Sequence, residues 1–537
     1  MLARTMKTAL ACFLIATAFS LPAAGAEFSA APLSEAFLAQ GRADGATRSA
    51  TPAGKLGYIP SPIDLSHLRR GVDIVAAKGG GSDALAYPRR FDLREAGHVT
   101  SAKEQRYNNC WAYSALGALE SSYLRAGGER LDLSEMHLSY YAFAEGPGFT
   151  GSIHAGGFDN VAVAVLSRWT GAVLEKDLPE SAYPPSGAAA GYANRLHLED
   201  AYVLGLQFAD GGLPIVRDTV KGLIGDKGAV SVGIYMFADE NGRRPYYDEA
   251  NAAWFYNGPE TVPNHAVILV GWDDDFSRRN FREGNRPVAD GAWLARNHWG
   301  ETFGDGGFFW VSYEDLGLRD GVAYVAGETD NFDKHYGHDA LGWCNSVGVG
   351  EESAWAANVF TAGSVSERLD AVSFYTTAND ASYEILVYGD VRDPGNPASG
   401  TLRLRQSGSE RLCGYHTVRL RESVALAARE RFSIVLRMTT PDFPYPVAVE
   451  TAIQGYSDRA SSARGESFFS EDGEAWEDLY DSYNACIKAF TTNDGERPPV
   501  GEEAGSDSGS GCRSGAAAAS VLFPALCLAA MRRRARV

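Results

Sequence analysis

The chain has 537 residues, 45% of them hydrophobic and 22% charged, and its 68 acidic and 49 basic side chains give a formal net charge of −19. A single compact core rarely grows past about 250–300 residues, so at least two domains are expected. The composition excludes a disordered chain, a collagen-like repeat and a disulfide-dense miniprotein, and the acidic balance argues against a general nucleic-acid binder. The seven cysteines are scattered and show no paired CxxC spacing, so neither a zinc site nor any other cofactor is expected.

In chain order, Arg4 and Lys7 precede an apolar run from Thr8 to Leu21 and then Ala24-Gly25-Ala26. This reads as a secretory signal peptide cut after Ala26, taking Cys12 with it. Residues 27–86 hold no strong periodic segment and include Gly79-Gly80-Gly81-Ser82, which predicts a loosely ordered prosegment or spacer. Residues 87–325 show helical patterns first and strand patterns later, an α+β order. Residues 343–492 are almost all strand-like, with Val372–Tyr375, Tyr383–Tyr388, Thr417–Leu420, Phe432–Leu436, Val447–Val449 and Cys486–Phe490 as short apolar or alternating runs. Turn residues separate them, Asp472-Gly473 being a hairpin signal, so an all-β sandwich is expected.

Residues 493–511 read as a flexible linker. Cys512 follows, then an apolar stretch from Gly515 to Met531 and a cluster of Arg532, Arg533, Arg534 and Arg536. At 1.5 Å per residue that stretch spans about 25 Å, the low end for a bilayer, with arginines placed as a positive-inside stop. The layout resembles the Gly-Cys, apolar-helix, arginine-cluster sorting signals of bacterial C-termini, of the kind named for Synergistetes and myxobacteria. That resemblance implies processing near Cys512 and retention at the cell surface or membrane.

The chemistry gathers around Cys110. After it, Ala112, Ala115, Leu116, Leu119 and Tyr123 recur at helical spacing, Gly127-Gly128 supplies a stop, and Asn108 or Asn109 is a suitable N-cap. Cys110 therefore falls in the first turn of an amphipathic helix. A helix N-terminus favours the thiolate by about 0.3–2 kcal/mol, roughly one pKa unit, which leaves the thiol mostly protonated below about pH 7. An ion pair at mildly acidic pH needs a neighbouring cation, most naturally a histidine. By itself Cys110 would more often be a buried structural thiol.

His265 is the best-placed partner. It opens the continuous apolar run Ala266 to Trp272, which reads as a buried strand that would hold a base rigidly. Asn297, after the short strand Trp293-Leu294-Ala295, offers a side-chain carbonyl to orient the imidazole, and Trp299 would shield that bond from water. The plain alternative for each is a polar residue making a local turn bond at a strand end.

Together these residues resemble the papain-like cysteine peptidases, clan CA, family C1. The likeness spans Tyr87 to about Val325 as an ordered series: Phe91-Asp92-Leu93-Arg94, Lys103-Glu104-Gln105, Cys110-Trp111-Ala112-Tyr113-Ser114, Leu133-Ser134-Glu135, Gly156-Gly157, Val230-Ser231-Val232, Asn264-His265-Ala266-Val267, and Asn297-His298-Trp299-Gly300 with Gly306-Gly307-Phe308. The resemblance implies a two-lobed fold, a helical lobe plus a β-barrel lobe. It implies that Cys110 attacks the scissile carbonyl, His265 carries the proton, Asn297 orients His265, and Gln105 with the Cys110 amide donates to the oxyanion. Gly156 and Gly157 would line the substrate cleft beside Trp299. Removing one oxyanion donor typically costs about 100–1000-fold in rate.

The sequence departs from the family pattern. Gln105 lies five residues before Cys110, one fewer than in the family, and Tyr107, Asn108 and Asn109 stand where a second cysteine and its disulfide would be. The stretch between His265 and Asn297 is extended and carries Asp273-Asp274-Asp275, read as a solvated hairpin rather than a calcium site. Residues before Tyr87 lack the long charged helices of common papain propeptides, so any latency uses a shorter device.

Residues 351–490 resemble the lectin-like β-sandwich that follows some bacterial papain-like peptidases, through patches such as Ala356-Ala357-Asn358-Val359-Phe360, Tyr383 to Gly389 and Ala485 to Phe490. Of Cys344, Cys413 and Cys486, one pair could be disulfide-linked outside the cytoplasm. The leading expectation is an exported, surface-retained cysteine endopeptidase acting on protein or peptide substrates, with a β-domain that docks substrate or envelope glycans. The alternative is a surface adhesin or carbohydrate-binding protein with an inactive papain-like domain. The intact set Cys110, His265, Asn297 and Gln105 favours the enzyme.

Overall fold

A computed structural model describes residues 28–43, 56–69, 87–144, 146, 148–207, 214–239, 241–260 and 262–494. The expected signal peptide, the Gly79–Ser82 stretch, the linker from Arg497 and the Cys512 tail lie outside the described residues. Five α-helices occur among the described residues: α1 (Glu35–Ala43), α2 (Cys110–Arg125), α3 (Glu135–Ala144), α4 (Asp159–Ser167) and α5 (Pro214–Asp226).

Helices α2, α3 and α4 pack together as one lobe. The second lobe is an antiparallel array in the order 197–207, 319–327, 230–234, 265–273, 292–296 and 308–312. The strand His265–Asp273 is buried from His265 through Trp272 because α2 and α5 both pack on it. That explains its unbroken apolar sequence. Helix α2 is buried from Cys110 to Ser122 rather than along one stripe. It lies between the lobes, against α3, α4 and the strands, so the predicted amphipathic helix is a central one.

From residue 334 onward two sheets face each other. One orders the strands 334–336, 487–493, 367–376 and 414–426; the other orders 401–410, 381–389, 431–439, 353–361, 467–470 and 477–478. Alternate residues fill the space between them: Ala354 and Ala356, Val372 and Phe374, Ile385 and Val387, Ile434 and Leu436, Ile487 and Ala489. This is the period-two burial of a sandwich. Asp472-Gly473 sits in the turn between the paired strands 467–470 and 477–478, with Gly473 at φ 81°. Buried Asn358 ties the sandwich together, donating to the carbonyls of Ala485 and Ile487 at 2.9 and 2.8 Å and accepting from Ser467 at 2.6 Å.

The first sheet does not stop at the domain boundary. Gly414 and Tyr415 pair with Tyr202 and Ala201, and the Val203 amide donates to the Cys413 carbonyl at 2.7 Å. Strands of the second lobe and strands of the sandwich form one hydrogen-bonded sheet.

One open point is answered and one expectation is corrected. Cys344, Cys413 and Cys486 are all free and buried; Cys344 donates to the Leu341 carbonyl and Cys413 to the Thr376 carbonyl, so no pair is linked. The leader is not uniformly loose. Ser29–Ala30 adds an edge strand to Asn345–Gly348, Phe28 packs on Phe469 and Tyr483, and His67 stacks on Phe443 at 3.8 Å. The order of these short pieces comes from sandwich partners more than 300 residues away, which no local pattern records.

Candidate active site

Cys110 is the first residue of α2 and fully buried. Asn109 stands at the N-cap, but its side chain makes no cap bond; its amide turns to Ser139 at 3.4 Å. Lys103 fixes the approach to the cysteine. Its ammonium lies 2.7 Å from Glu135, 2.7 Å from Asp132 and 3.3 Å from Glu120, and donates to the Leu133 carbonyl at 2.8 Å. Burial alone would lower its pKa, but the three carboxylates hold it above the usual lysine value. Arg296, buried beneath α2, donates to the Thr100 hydroxyl at 2.6 Å, and its guanidinium fills the space that a side chain on Gly117 would take.

His265 begins its buried strand, and its Nε2 lies 2.8 Å from Asn297 Oδ1. The His298 amide donates to the same oxygen at 2.8 Å. An atom that receives a backbone N–H is the carbonyl end of the asparagine, so Nε2 of His265 carries the proton and Nδ1 is the basic nitrogen. Nδ1 is buried and has no hydrogen-bond partner. The Trp299 ring covers the imidazole at 4.9 Å between centroids, which keeps water from the His265–Asn297 bond. His298 faces away and bonds Ser114 at 3.0 Å.

Burial pushes the Cys110 thiol up to about 12, against the pull of the Ala266 and Trp111 amides. Burial also lowers His265 to about 4, against its bond to Asn297. In this covered site both groups are neutral at pH 7; the sequence-expected ion pair requires the cleft to open to water.

Gln105 is buried on a segment that pairs with the Asn297 loop: its amide N–H donates to the His298 carbonyl at 2.8 Å, and Glu104 bridges to Trp299. Its Nε2 donates to the Tyr107 carbonyl at 2.9 Å, which ties down the shortened loop and leaves the second amide hydrogen over. In the acidic extension Asp274 receives Lys221 and Tyr313, each at 2.7 Å, and Asp275 receives Arg89 at 2.7 Å, so the charges of Asp274 and Asp275 are paired within the protein.

A segment of the leader lies against Gly156 and Gly157. The amides of Gly57 and Tyr58 donate to the Asn264 carbonyl at 3.1 and 3.2 Å. The Ile59 amide donates to Gly157 at 3.1 Å, and the Gly157 amide returns to the Gly57 carbonyl at 2.9 Å. Added side chains show how tight this fit is. A Cβ on Gly57 would lie 2.3 Å from the Asn108 carbonyl oxygen, one on Gly156 2.6 Å from the Gly57 oxygen, and one on Gly157 2.6 Å from the Trp111 indole. The sequence reading missed Tyr58, Asn264 as a backbone acceptor, and Asp159, whose carboxyl accepts from Tyr324 at 3.0 Å. Of these only Asn264 carried a signal, its place next to His265.

A cysteine at a helix start, a histidine at a strand start and an asparagine holding that histidine, set between a helical and a strand lobe, define a papain-like site. Residues 87–325 match the family described as "Papain family cysteine protease", and residues 335–491 match "Lectin like domain". The chain carries a papain-family C1 peptidase domain followed by a lectin-like domain. Among curated proteins it is 28% identical over 233 residues to Oryzain gamma chain of Oryza sativa subsp. japonica, covering 42% of this chain and 56% of that protein. It is 25% identical over 247 residues to Ananain of Ananas comosus, covering 45% and 61%. The chain thus spans little more than half the length of these relatives. The crystal structure of the cysteine protease and lectin-like domains of Cwp84, a surface layer associated protein of Clostridium difficile, is similar with TM-score 0.71 and 28% identity, covering 87% of this chain and 98% of that one. A Cwp84 structure after propeptide cleavage is similar with TM-score 0.64 and 28% identity, covering 75% and 99%.

Proposed function

We propose that this chain is an exported cysteine endopeptidase made in a latent form. The observation that carries the reading is the 2.8 Å bond from His265 to Asn297, which fixes the tautomer and leaves Nδ1 to take the proton of a thiol at the start of α2. On opening of the cleft, Cys110 attacks the scissile carbonyl as its proton passes to Nδ1. The Cys110 amide and the remaining Gln105 hydrogen stabilise the oxyanion, and His265 returns the proton to the leaving amine. Water then hydrolyses the acyl-enzyme with His265 as base. Residues 57–59 block this course by filling the cleft, so removal of the leader activates the enzyme. The signal-like segment ending at Ala26, together with the likeness to a surface layer associated protein, supports export and surface retention. The lectin-like domain supports docking on substrate or envelope glycans.

Active-site labelling tests the reading. The reduced full-length protein is treated with an epoxysuccinyl peptide inhibitor before and after proteolytic removal of the residues ahead of Tyr87, and the adduct is mapped by peptide mass. One adduct on Cys110 after removal, lost in His265→Ala, is expected. No adduct in either form would overturn the peptidase assignment and favour a binding protein with an inert papain-like domain.

A further inference from the structure

The side chain that fills the cleft describes what the cleft accepts. Tyr58 sits opposite Gly157 in a parallel bridge. A side chain directly opposite Gly157 projects to the same face whichever way the chain runs, so a substrate residue pairing there enters the same pocket. The backbone bonds to Gly157 and Asn264 are open to any peptide; the pocket is not.

Tyr58 is 9% exposed, packed within the apolar core that also holds Trp111 and Tyr324. Its hydroxyl meets the carboxyl of Asp159, the first residue of α4. Asp159 is 3% exposed and accepts a second phenol, Tyr324, at 3.0 Å, and the fully buried Ser231 hydroxyl lies beside it. The charge of Asp320 also raises the Tyr58 phenol. A buried carboxylate in an apolar pocket is stable only when donors reach it. Burial raises Asp159 to about 6, so at neutral pH it is ionised and purely an acceptor. A phenylalanine or leucine in the pocket would leave that acceptor short of a donor. A lysine or arginine would bring three or five donors to a carboxylate already engaged by Tyr324. A phenol brings one.

We propose that Asp159 and Tyr324 make this pocket a tyrosine-selecting subsite, so that the enzyme cleaves chains presenting tyrosine at the residue that pairs with Gly157. The inference rests on the peptidase reading above and adds its substrate class.

The test uses the full-length protein after removal of the residues ahead of Tyr87, with active enzyme counted by epoxysuccinyl titration. A fluorogenic peptide library places Tyr, Phe, Leu, Lys or Arg at each position on the acyl side of the cleaved bond. Tyrosine is expected to exceed phenylalanine in kcat/KM by roughly tenfold or more at a single position. Asp159→Asn should shrink that ratio to within about threefold, whereas Tyr324→Phe, which removes the other phenol donor to the carboxylate, should raise the use of Lys or Arg relative to Tyr; a ratio on titrated enzyme is insensitive to how much of a variant folds. Equal use of Tyr and Phe at every position, a preference for Lys or Arg in the parent, or ratios unchanged in both variants would overturn the subsite while leaving the peptidase standing. Absence of both labelling and cleavage would instead remove the peptidase reading and the subsite with it.

Discussion

At Gly57 one missing methyl group sets how closely the leader packs beside Cys110. The residue passes so close to the backbone of Asn108, two positions before Cys110, that a Cβ there would lie 2.3 Å from a carbonyl oxygen and 2.7 Å from an α-carbon. Neither atom belongs to a side chain that could swing away. Gly57→Ala therefore lifts Gly57–Ile59 off Gly157 and Asn264 without touching Cys110, His265 or Asn297. The unprocessed Gly57→Ala protein is expected to hydrolyse a fluorogenic peptide at least about tenfold faster than the unprocessed parent, since loss of a few backbone bonds at about 1 kcal/mol each exceeds that factor. Equal rates before processing, with normal rates after it, would show that the segment does not inhibit. Gly157 makes the same kind of demand from the other wall, where its bare α-carbon admits the Trp111 indole.

At the scale of elements, the run from Lys103 to Cys110 is held by charge as well as by strand pairing. Glu120 and Glu135, on α2 and α3, are buried at 1% and 2% exposure, and Lys103 is the cation between them. Burial works against the charge of Glu135, and Lys103 at 2.7 Å holds it. Lys103→Met would leave those carboxyls without their partner, an expected loss of about 3–5 kcal/mol in denaturant unfolding. A loss below about 1 kcal/mol would mean the cluster relaxes to solvent. The same elements show what a sequence discloses. The cysteine helix, the buried histidine strand and the Asn297 turn are local patterns, and each is where its pattern places it. The sandwich strands 367–376, 381–389 and 431–439 likewise contain the runs that announced them. Strand 401–410 was invisible, since its Leu402, Arg403 and Arg405 face largely outward on an edge. The leader pieces were invisible for another reason. Two residues at 29–30 and three at 57–59 carry no period of their own, and they are ordered by distant sheet edges and by the cleft. Cap geometry at Asn109 was misjudged because Ser139 and the Glu180 carboxyl compete for its side chain.

Across the whole molecule, buried titratable groups set the pH range of stability. Burial pushes Glu450 up to about 8 and Asp315, Glu175 and Glu410 up to about 7. A raised carboxyl binds its proton more tightly folded than unfolded, so its contribution is present below the ordinary value near 4.5 and is lost as pH rises toward 8. Buried His137 and His335, lowered to about 4, and His416, lowered to about 3, act the other way: their contribution is present above 6.5 and is lost on acidification. Above pH 6.5 these carboxyls act first, joined toward pH 8.5 by the buried cysteines, whose thiols burial also raises, so Tm is expected to fall between about pH 6.5 and about pH 8.5, and Glu450→Gln should reduce that fall. A scan with no alkaline decline in the parent would contradict this assignment.

The sheet that runs from residues 197–207 into 414–426 has a consequence for anyone who would divide the protein. Gly414, at φ 143°, lies so close to the opposite chain that a Cβ would sit 2.0 Å from the Ala201 carbonyl oxygen, and the Asp200 carboxylate accepts from the Thr417 amide at 3.1 Å. Ending the chain after Gly327 would strip the partner from Ala201–Val203 and bare the edge of an otherwise satisfied sheet, the situation in which identical chains pair with one another and precipitate. An isolated peptidase half is expected to elute from gel filtration as soluble aggregate or to be lost to the pellet; a monodisperse monomer would show that the seam is dispensable. The two halves are in this respect a single casting, and gene rearrangements that separate them should yield insoluble products rather than a smaller enzyme.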